Sequence, residues 1–259
     1  MSAIPERHAG EHIVVSGAGT GIGRAIALRL GAEGAQLSLC ARDAERLRST
    51  AAAIGGEVHV ASCDIRDGAA VAAFFAGAAG AHGPIHSVVA NAGIGGSNAA
   101  GAEDRFEDLV ATNLSGTYAC FRAAEKHLAP GPDARHLIAV SSILARIGVP
   151  GYTGYCASKA GILGLVRALA GELAADNVQV NAVCPGWVDT SMAREGLDGM
   201  ASGMGVSAEE AYSIAMQAVP MGRMSEPEDV AGMISWLASP DARGVTGQAL
   251  DINGGAFMI

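Results

Sequence analysis

The chain of 259 residues has little charge and few aromatic side chains: Asp, Glu, Lys and Arg together make up 17%, and Phe, Trp and Tyr 4%. Half the residues are apolar, so low charge here excludes a disordered chain and indicates a packed core. Basic runs are absent and the formal net charge is −9, which argues against nucleic acid as a partner. There is no C-x-x-C pair. Cys40, Cys63, Cys120, Cys156 and Cys184 are scattered, mostly through apolar runs, and read as free thiols. No metal site and no disulfide framework are expected. No apolar run is long enough to span a bilayer, and residues 1–11 lack the apolar centre of a signal peptide. The expectation is a cytoplasmic protein with no membrane association. In that setting the sequon at Asn113-Leu114-Ser115 has no meaning.

What is present is alternation. Short β-branched runs at 13–16, 36–41, 58–62, 87–90, 136–141, 179–184 and 249–252 read as buried strands. Between them lie helical patterns at 23–32, 44–54, 67–80, 105–128, 153–175 and 227–238. The implied fold is α/β: one Rossmann-type, doubly wound domain over 1–259, with a mostly parallel seven-stranded sheet and helices on both faces. Residues 189–220 interrupt the alternation and are rich in Met, Gly and Ala. They read as a lid over a substrate, with Met192, Met200, Met204, Met216 and Leu197 offering an adaptable apolar surface; core packing explains the same methionines as well.

Three local patterns carry chemistry. Gly17-Ala18-Gly19-Thr20-Gly21-Ile22-Gly23 follows the first strand and opens a helix, a turn that brings backbone N–H groups to a pyrophosphate. Tyr155 and Lys159 are four apart, one helical turn, so an ammonium neighbours a phenol and would favour its ionised form. Ser142 closes the fifth strand thirteen residues before Tyr155, and two hydroxyls aimed at one oxygen make an electrophilic clamp for a carbonyl.

These pieces, with Asn91-Ala92-Gly93, Asn113 and the run Pro185-Gly186-Trp187-Val188-Asp189-Thr190, resemble the short-chain dehydrogenase/reductase family in order and interval, over nearly the whole chain. Two residues depart from the family's habit: Ser16 stands where Thr is usual, and Ala90 where a second Asn is common. The resemblance implies an enzyme interconverting a ketone and a secondary alcohol with a nicotinamide nucleotide. It implies that Tyr155 moves the proton, Ser142 polarises the carbonyl, Lys159 lowers the phenol pKa and holds the nicotinamide ribose, and Asn113 holds a relay water. It further implies a cofactor cradle of Gly17, Thr20, Gly21, Ile22, Gly23, Asp64, Ile65, Asn91, Ala92, Gly93, Tyr155, Lys159, Pro185, Gly186, Val188 and Thr190, and a homo-oligomer, tetramer or dimer, built on the helices at 105–128 and 153–175. The late segment is most similar to ketoreductases of polyketide and acyl-thioester pathways.

By the family's alignment the specificity position at the second strand's tip is Ala41, followed by Arg42 and Asp43. A neutral residue and a guanidinium favour NADP(H) over NAD(H), provided Asp43 caps the next helix instead of turning inward. Two alternatives stay open: an NAD-linked catabolic secondary-alcohol dehydrogenase, and a nucleotide-binding scaffold without turnover.

Overall fold

Apolar β-branched runs form the strands, and carboxylates and hydroxyls start many of the helices between them. The computed structural model describes residues 3–101 and 104–258; the ends of the domain drawn over 1–259 therefore lie outside the described residues. The elements are β1 (His12–Ser16), α1 (Gly21–Ala32), β2 (Gln36–Ala41), α2 (Ala44–Ile54), β3 (Val58–Ser62), α3 (Gly68–His82), β4 (Ser87–Ala90), α4 (Phe106–Val110), α5 (Gly116–Ala124), β5 (Arg135–Val140), α6 (Thr153–Leu173), β6 (Val178–Pro185), α7 (Ser191–Met204), α8 (Ala208–Gln217), α9 (Pro227–Leu237) and β7 (Ala249–Ile252). Asp43 and Asp67 accept two backbone N–H bonds each at the starts of α2 and α3.

All pairings between the seven strands are parallel, in the order β3-β2-β1-β4-β5-β6-β7. The chain leaves β1 in both directions, so a crevice opens at the carboxyl ends of β1 and β4. Alternate residues of each central strand feed two cores. Val14, Val88, Leu137 and Val180 pack with Phe75, Phe121, Ile162 and Val166 of α3, α5 and α6. Ile13, Val15, Leu39 and Ile138 pack with Ile26, Leu30, Leu47 and Ile234 of α1, α2 and α9. Each fully buried side chain of this size contributes roughly 1.5–3 kcal/mol.

Two expectations change. The helix expected over 105–128 is not continuous: a π-helical turn at Ala111–Ser115 separates α4 from α5. The segment at 189–220 is not irregular. It folds as α7 and α8, separated by Gly205 at φ +68° and by a capping box in which Ser207 and Glu210 satisfy each other's backbone N–H groups. Leu197 and Met216 join Ala215, Val219 and Met224 in a small core with Met200 and Trp187 against it. For those residues packing is the answer, whereas Met192 and Met204 stay exposed.

At the opposite end of the sheet from the crevice sits a group of histidines. Two pairs, His8/His12 and His82/His86, have the four-residue spacing of helical metal ligands. Protein partners engage His8 and both ring nitrogens of His12: His8 Nδ1 meets Glu11 at 2.7 Å, and the His12 nitrogens meet the Gly83 carbonyl and the Ser38 hydroxyl at 2.9 Å. Among the described residues no group of three or more metal-ligating side chains converges. Burial pushes the pKa values of His12 and His136 down to about 4. The unfolded chain therefore binds protons between pH 6.5 and 4 that the folded protein refuses. Stability is full above pH 6.5 and is lost as pH falls through that window, by up to about 3 kcal/mol per histidine. Thermal melts should show the midpoint dropping steadily from pH 6.5 to pH 4; a flat midpoint over that range would contradict this burial effect.

Candidate active site

The glycine turn is built by contacts that a side chain would destroy. Gly17 has φ +69°, and a Cβ on it would lie 2.7 Å from the Ala92 Cα. A Cβ on Gly23 would lie 2.2 Å from the Gly17 carbonyl oxygen and 2.3 Å from Asn91 Nδ2. Asn91 locks the turn by donating to the Ser16 and Gly17 carbonyls at 3.1 and 3.2 Å. The Ser16 hydroxyl accepts from the N–H groups of Asn91 and Ala92, both at 3.1 Å, so serine supplies the oxygen this position needs. Thr20 is the N-cap of α1 but its side chain makes no capping bond. The first N–H groups of α1, on Gly21, Ile22 and Gly23, thus face the crevice mouth with the helix dipole behind them, as an anion requires. Thr190, N-cap of α7, places its methyl 3.2 Å from where a Gly21 Cβ would be and walls the far side. The residues present fit a dinucleotide pyrophosphate.

At the tip of β2, Asp43 is committed to α2, accepting from Glu45 and Arg46 at 3.0 and 3.1 Å, which holds its carboxyl below the ordinary range. Arg42 beside it is exposed, its guanidinium outside the ion pairs of the described residues. After β3, Asp64 pairs with Arg66 at 2.7 Å, and Asp67, not Asp64, starts α3. Ile65 is buried against Gly116, where a Cβ would come within 2.6 Å of it.

The hydroxyl pair lies beyond. Ser142 sits in extended backbone at the end of β5 and starts a 3-10 turn (Ile143–Ala145), its oxygen accepting from the Leu144 N–H at 3.1 Å. Its neighbour Ser141 donates instead to the Lys159 carbonyl at 2.9 Å. Tyr155, in the first turn of α6, is half-buried. Its phenol pKa stands above the ordinary value because burial penalises the phenolate; the Ser142 hydroxyl, close enough to bond it, pulls the other way. The Lys159 Nζ lies 5.7 Å from the Tyr155 ring centroid and donates to the Val140 carbonyl at 2.8 Å. Burial pushes the ammonium's own pKa down to about 8.

Asn113 is fully buried in the π-helical turn, out of reach of glycosylation. Its Oδ1 accepts from the Ile94 N–H at 2.8 Å; its Nδ2 donates to the Ile94 carbonyl at 3.0 Å and to Ser158 at 3.1 Å. Ser158 in turn donates to the Tyr155 carbonyl at 2.9 Å. Both amide N–H groups are thus taken inside the protein, so the side chain splints the loop after β4 to the turn of α6 that carries the phenol. A side chain on Gly93 would fill the space between Asn113 and Lys159, with Oδ1 3.0 Å and Nζ 3.5 Å away. On the other side of the crevice, β6 ends at Pro185, and Gly186 bonds the Ile252 carbonyl at 3.0 Å with Asn253 where its Cβ would be. Val188 is buried and its strand-like bridge to Ser225 holds the run to Thr190 in place.

Sequence reasoning missed Ser16, Asn98 and Ser158 as site-builders. Asn98 donates to Asp104 and Thr153 and accepts from the Gly154 N–H at 2.9 Å, capping α6 from a distant loop. Ser158, inside the Tyr–Lys interval, and Ser16, at the family's usual Thr position, had a sequence signal; Asn98 had none. Met192 reaches across the crevice to Gly95, its sulfur 2.8 Å from where a Cβ would stand.

A parallel sheet whose switch point opens on an anion cradle, with two hydroxyls and an amine alongside, defines a dinucleotide-dependent α/β oxidoreductase. Comparison with known proteins makes this specific. The model of a family described as enoyl-(acyl carrier protein) reductase matches residues 17–256. A Streptomyces violaceoruber protein named for a ketoacyl-reductase step of the granaticin polyketide synthase is 39% identical over 98% of this chain and 96% of its own length. The rat (3R)-3-hydroxyacyl-CoA dehydrogenase is 32% identical over 95% of each chain. The crystal structure of a variant actinorhodin polyketide ketoreductase with NADPH superposes with a TM-score of 0.89 at 35% identity, covering 98% of this chain and 99% of that one. The chain belongs to the short-chain dehydrogenase/reductase family and is an oxidoreductase acting on hydroxyl and keto groups with a nicotinamide nucleotide. Among the described residues no helix is long and apolar enough to cross a membrane.

Proposed function

We propose that this protein is an NADPH-dependent ketoreductase acting on a hydrophobic, acyl-thioester or polyketide-like carbonyl in the cytoplasm. The observation that carries the reading is the Ser142 hydroxyl set beside a phenol whose pKa burial raises. A raised pKa keeps the proton on Tyr155 at neutral pH, the form that reduction consumes. When bound, the nicotinamide supplies the hydride. The carbonyl oxygen accepts from Ser142 and Tyr155, and the Tyr155 proton passes to it as the alkoxide forms. Lys159, ammonium-bearing below about pH 8, is positioned to hold the ribose hydroxyls and to replenish that proton. Asn113 orients the turn that carries the phenol through its Nδ2 bond to Ser158, which in turn bonds the Tyr155 carbonyl. The relatives named for ketoacyl reduction and the NADPH-bound neighbour support the direction and the cofactor. The exposed, small-residue face of α6, including Ala157, Ala160, Gly164 and Ala168, supports assembly as a homo-oligomer.

NADPH and NADH consumption against a panel of 3-oxoacyl thioesters and cyclic ketones tests the reading. NADPH oxidation matched by alcohol formation is expected; no consumption with any ketone would overturn it. The cofactor preference has its own test. Because Asp43 is held by α2 and Arg42 is exposed at the tip of β2, Arg42→Ala should weaken NADPH binding by about 10- to 100-fold, the worth of a charge-assisted pair to the 2′-phosphate. NADH binding should change by less than about twofold on the same principle. Equal losses for both would place the phosphate site elsewhere.

A further inference from the structure

The two arms of the crevice come from neighbouring strands, paired in parallel up to Val140 and Val183. Ser142 and its turn follow β5, while the run Pro185–Thr190 follows β6, whose outer neighbour is β7. Past the end of that ladder, one side chain ties the Ser142 turn to the strand beyond β6. Arg146, directly after the Ser142 turn, reaches past β6 to β7: its Nη2 donates to the Ala249 carbonyl at 2.8 Å and to Asp251 Oδ2 at 3.3 Å, and its Nε lies 3.4 Å from Asp251 Oδ1. Both side chains are only 18% exposed, so water screens the pair less than it would at the surface. Asp251 is paired in register with Cys184, one residue before Pro185, and the next residue, Ile252, accepts the Gly186 N–H at 3.0 Å. The bridge thus begins four residues after Ser142 and ends on the strand that sets the path of Gly186.

We propose that the Arg146–Asp251 pair is a positioning clamp that fixes the Ser142 hydroxyl relative to the nicotinamide side of the crevice. The clamp rests on the proposed reductase reading for its catalytic consequence but not for its structural one. Ser141, just before the turn, is tied to β6 by its N–H bond to the Val183 carbonyl at 2.7 Å, whereas the backbone bonds of the turn itself are short-range: Ala145 N–H to the Ser142 carbonyl at 3.0 Å, and Arg146 N–H to the Ile143 carbonyl at 2.8 Å. Such a turn can shift as a unit, and a displacement of about 1 Å at a reacting group costs on the order of 10²-fold in rate. Neither residue touches the reacting atoms in this account.

The test uses Arg146→Met, Asp251→Asn, the double variant and Arg146→Lys, with two readouts. Amide hydrogen exchange on the protein without substrate should accelerate at residues 143–147 and 185–190 together in each single variant, by about tenfold or more, leaving α1 and β1 unchanged. Steady-state ketone reduction should show kcat falling by about 10- to 100-fold with KM for the ketone within about threefold. The double variant should be no worse than the poorer single one, and Arg146→Lys should recover part of kcat. Unchanged exchange, or loosening confined to 143–147, overturns the clamp whatever the kinetics. Loosened exchange with an undiminished kcat overturns its positioning role. If the wild type reduces no ketone, the reductase reading fails, and the coupling of the two arms still stands or falls on exchange.

Discussion

Replacing Tyr155 by Phe should reduce ketone turnover by about 10²- to 10⁴-fold, the usual contribution of a placed general acid. The substitution removes one oxygen and leaves the ring that Lys159 faces at 5.7 Å. The pyrophosphate end of the cofactor cradle is formed elsewhere, by Gly17, Gly23, Asn91 and Thr190, and the phenol makes no charge-assisted contact to the cofactor, so NADPH affinity should stay within about threefold. The split is what identifies the role: a residue that merely packed against the nicotinamide would lose affinity and rate together. Ser142 loses a hydrogen-bonding neighbour in this variant but keeps its bond from the Leu144 N–H, so the carbonyl-polarising arm is not displaced. Rapid-mixing measurement of NADPH oxidation, with binding followed by fluorescence, checks both halves. Residual turnover within about tenfold of wild type would remove Tyr155 from the role of acid.

A single methyl at Gly23 should be nearly as damaging, by a different route. Its carbon would sit 2.2 Å from the Gly17 carbonyl oxygen and 2.3 Å from Asn91 Nδ2, far inside van der Waals contact. Neither neighbour is a free side-chain end. Gly17 is backbone held at positive φ, and Asn91 is tied by its two bonds to the turn. The start of α1 must therefore move off the turn, which opens the anion cradle. Gly23→Ala should cost about 1–3 kcal/mol of stability, as overpacking does. It should also weaken NADPH binding by about 100-fold or more, since the pyrophosphate N–H contacts are lost as a set. Gly80 in α3 is the control: a Cβ there meets nothing within 4 Å. Gly80→Ala should stabilise by about 0.5–1 kcal/mol and leave binding alone. Denaturant melts and NADPH titration of the two variants give the comparison; similar behaviour in both would mean the close approach at Gly23 is unimportant.

The sheet was legible in the sequence because each strand is a short, largely apolar run between helical patterns. The runs 36–41, 58–62, 87–90 and 249–252 match the strands in the structure end to end. The glycine turn, Ser142, Tyr155 and Lys159 were legible because their spacing is local or fixed by one strand-to-helix step. The helices of 189–220 were not, since Gly196, Gly199 and Gly203 interrupt the apolar periodicity of α7, and its stability comes from contacts with α8 and Trp187. The π-helical turn at Asn113 was hidden for a similar reason: it is fixed by bonds to Ile94 and Ser158, 19 and 45 residues away. The surroundings of Lys159 were hidden as well. A four-residue spacing says that an ammonium neighbours a phenol, but not that burial raises one pKa and lowers the other, nor that Nζ turns to the Val140 carbonyl. The Arg146–Asp251 pair spans 105 residues and leaves no local pattern at all.

The central claim is that a ketone oxygen is received jointly by Ser142 and Tyr155 in front of a nicotinamide held at the glycine turn. A crystal structure of the protein with NADPH and a slowly reduced ketone tests it most directly. The carbonyl oxygen should lie within hydrogen-bonding distance, about 2.6–3.2 Å, of both the Tyr155 Oη and the Ser142 Oγ, with the carbonyl carbon facing the nicotinamide. A ketone bound with its oxygen turned away from both hydroxyls, or a dinucleotide bound outside the Gly17–Gly23 turn, would contradict it.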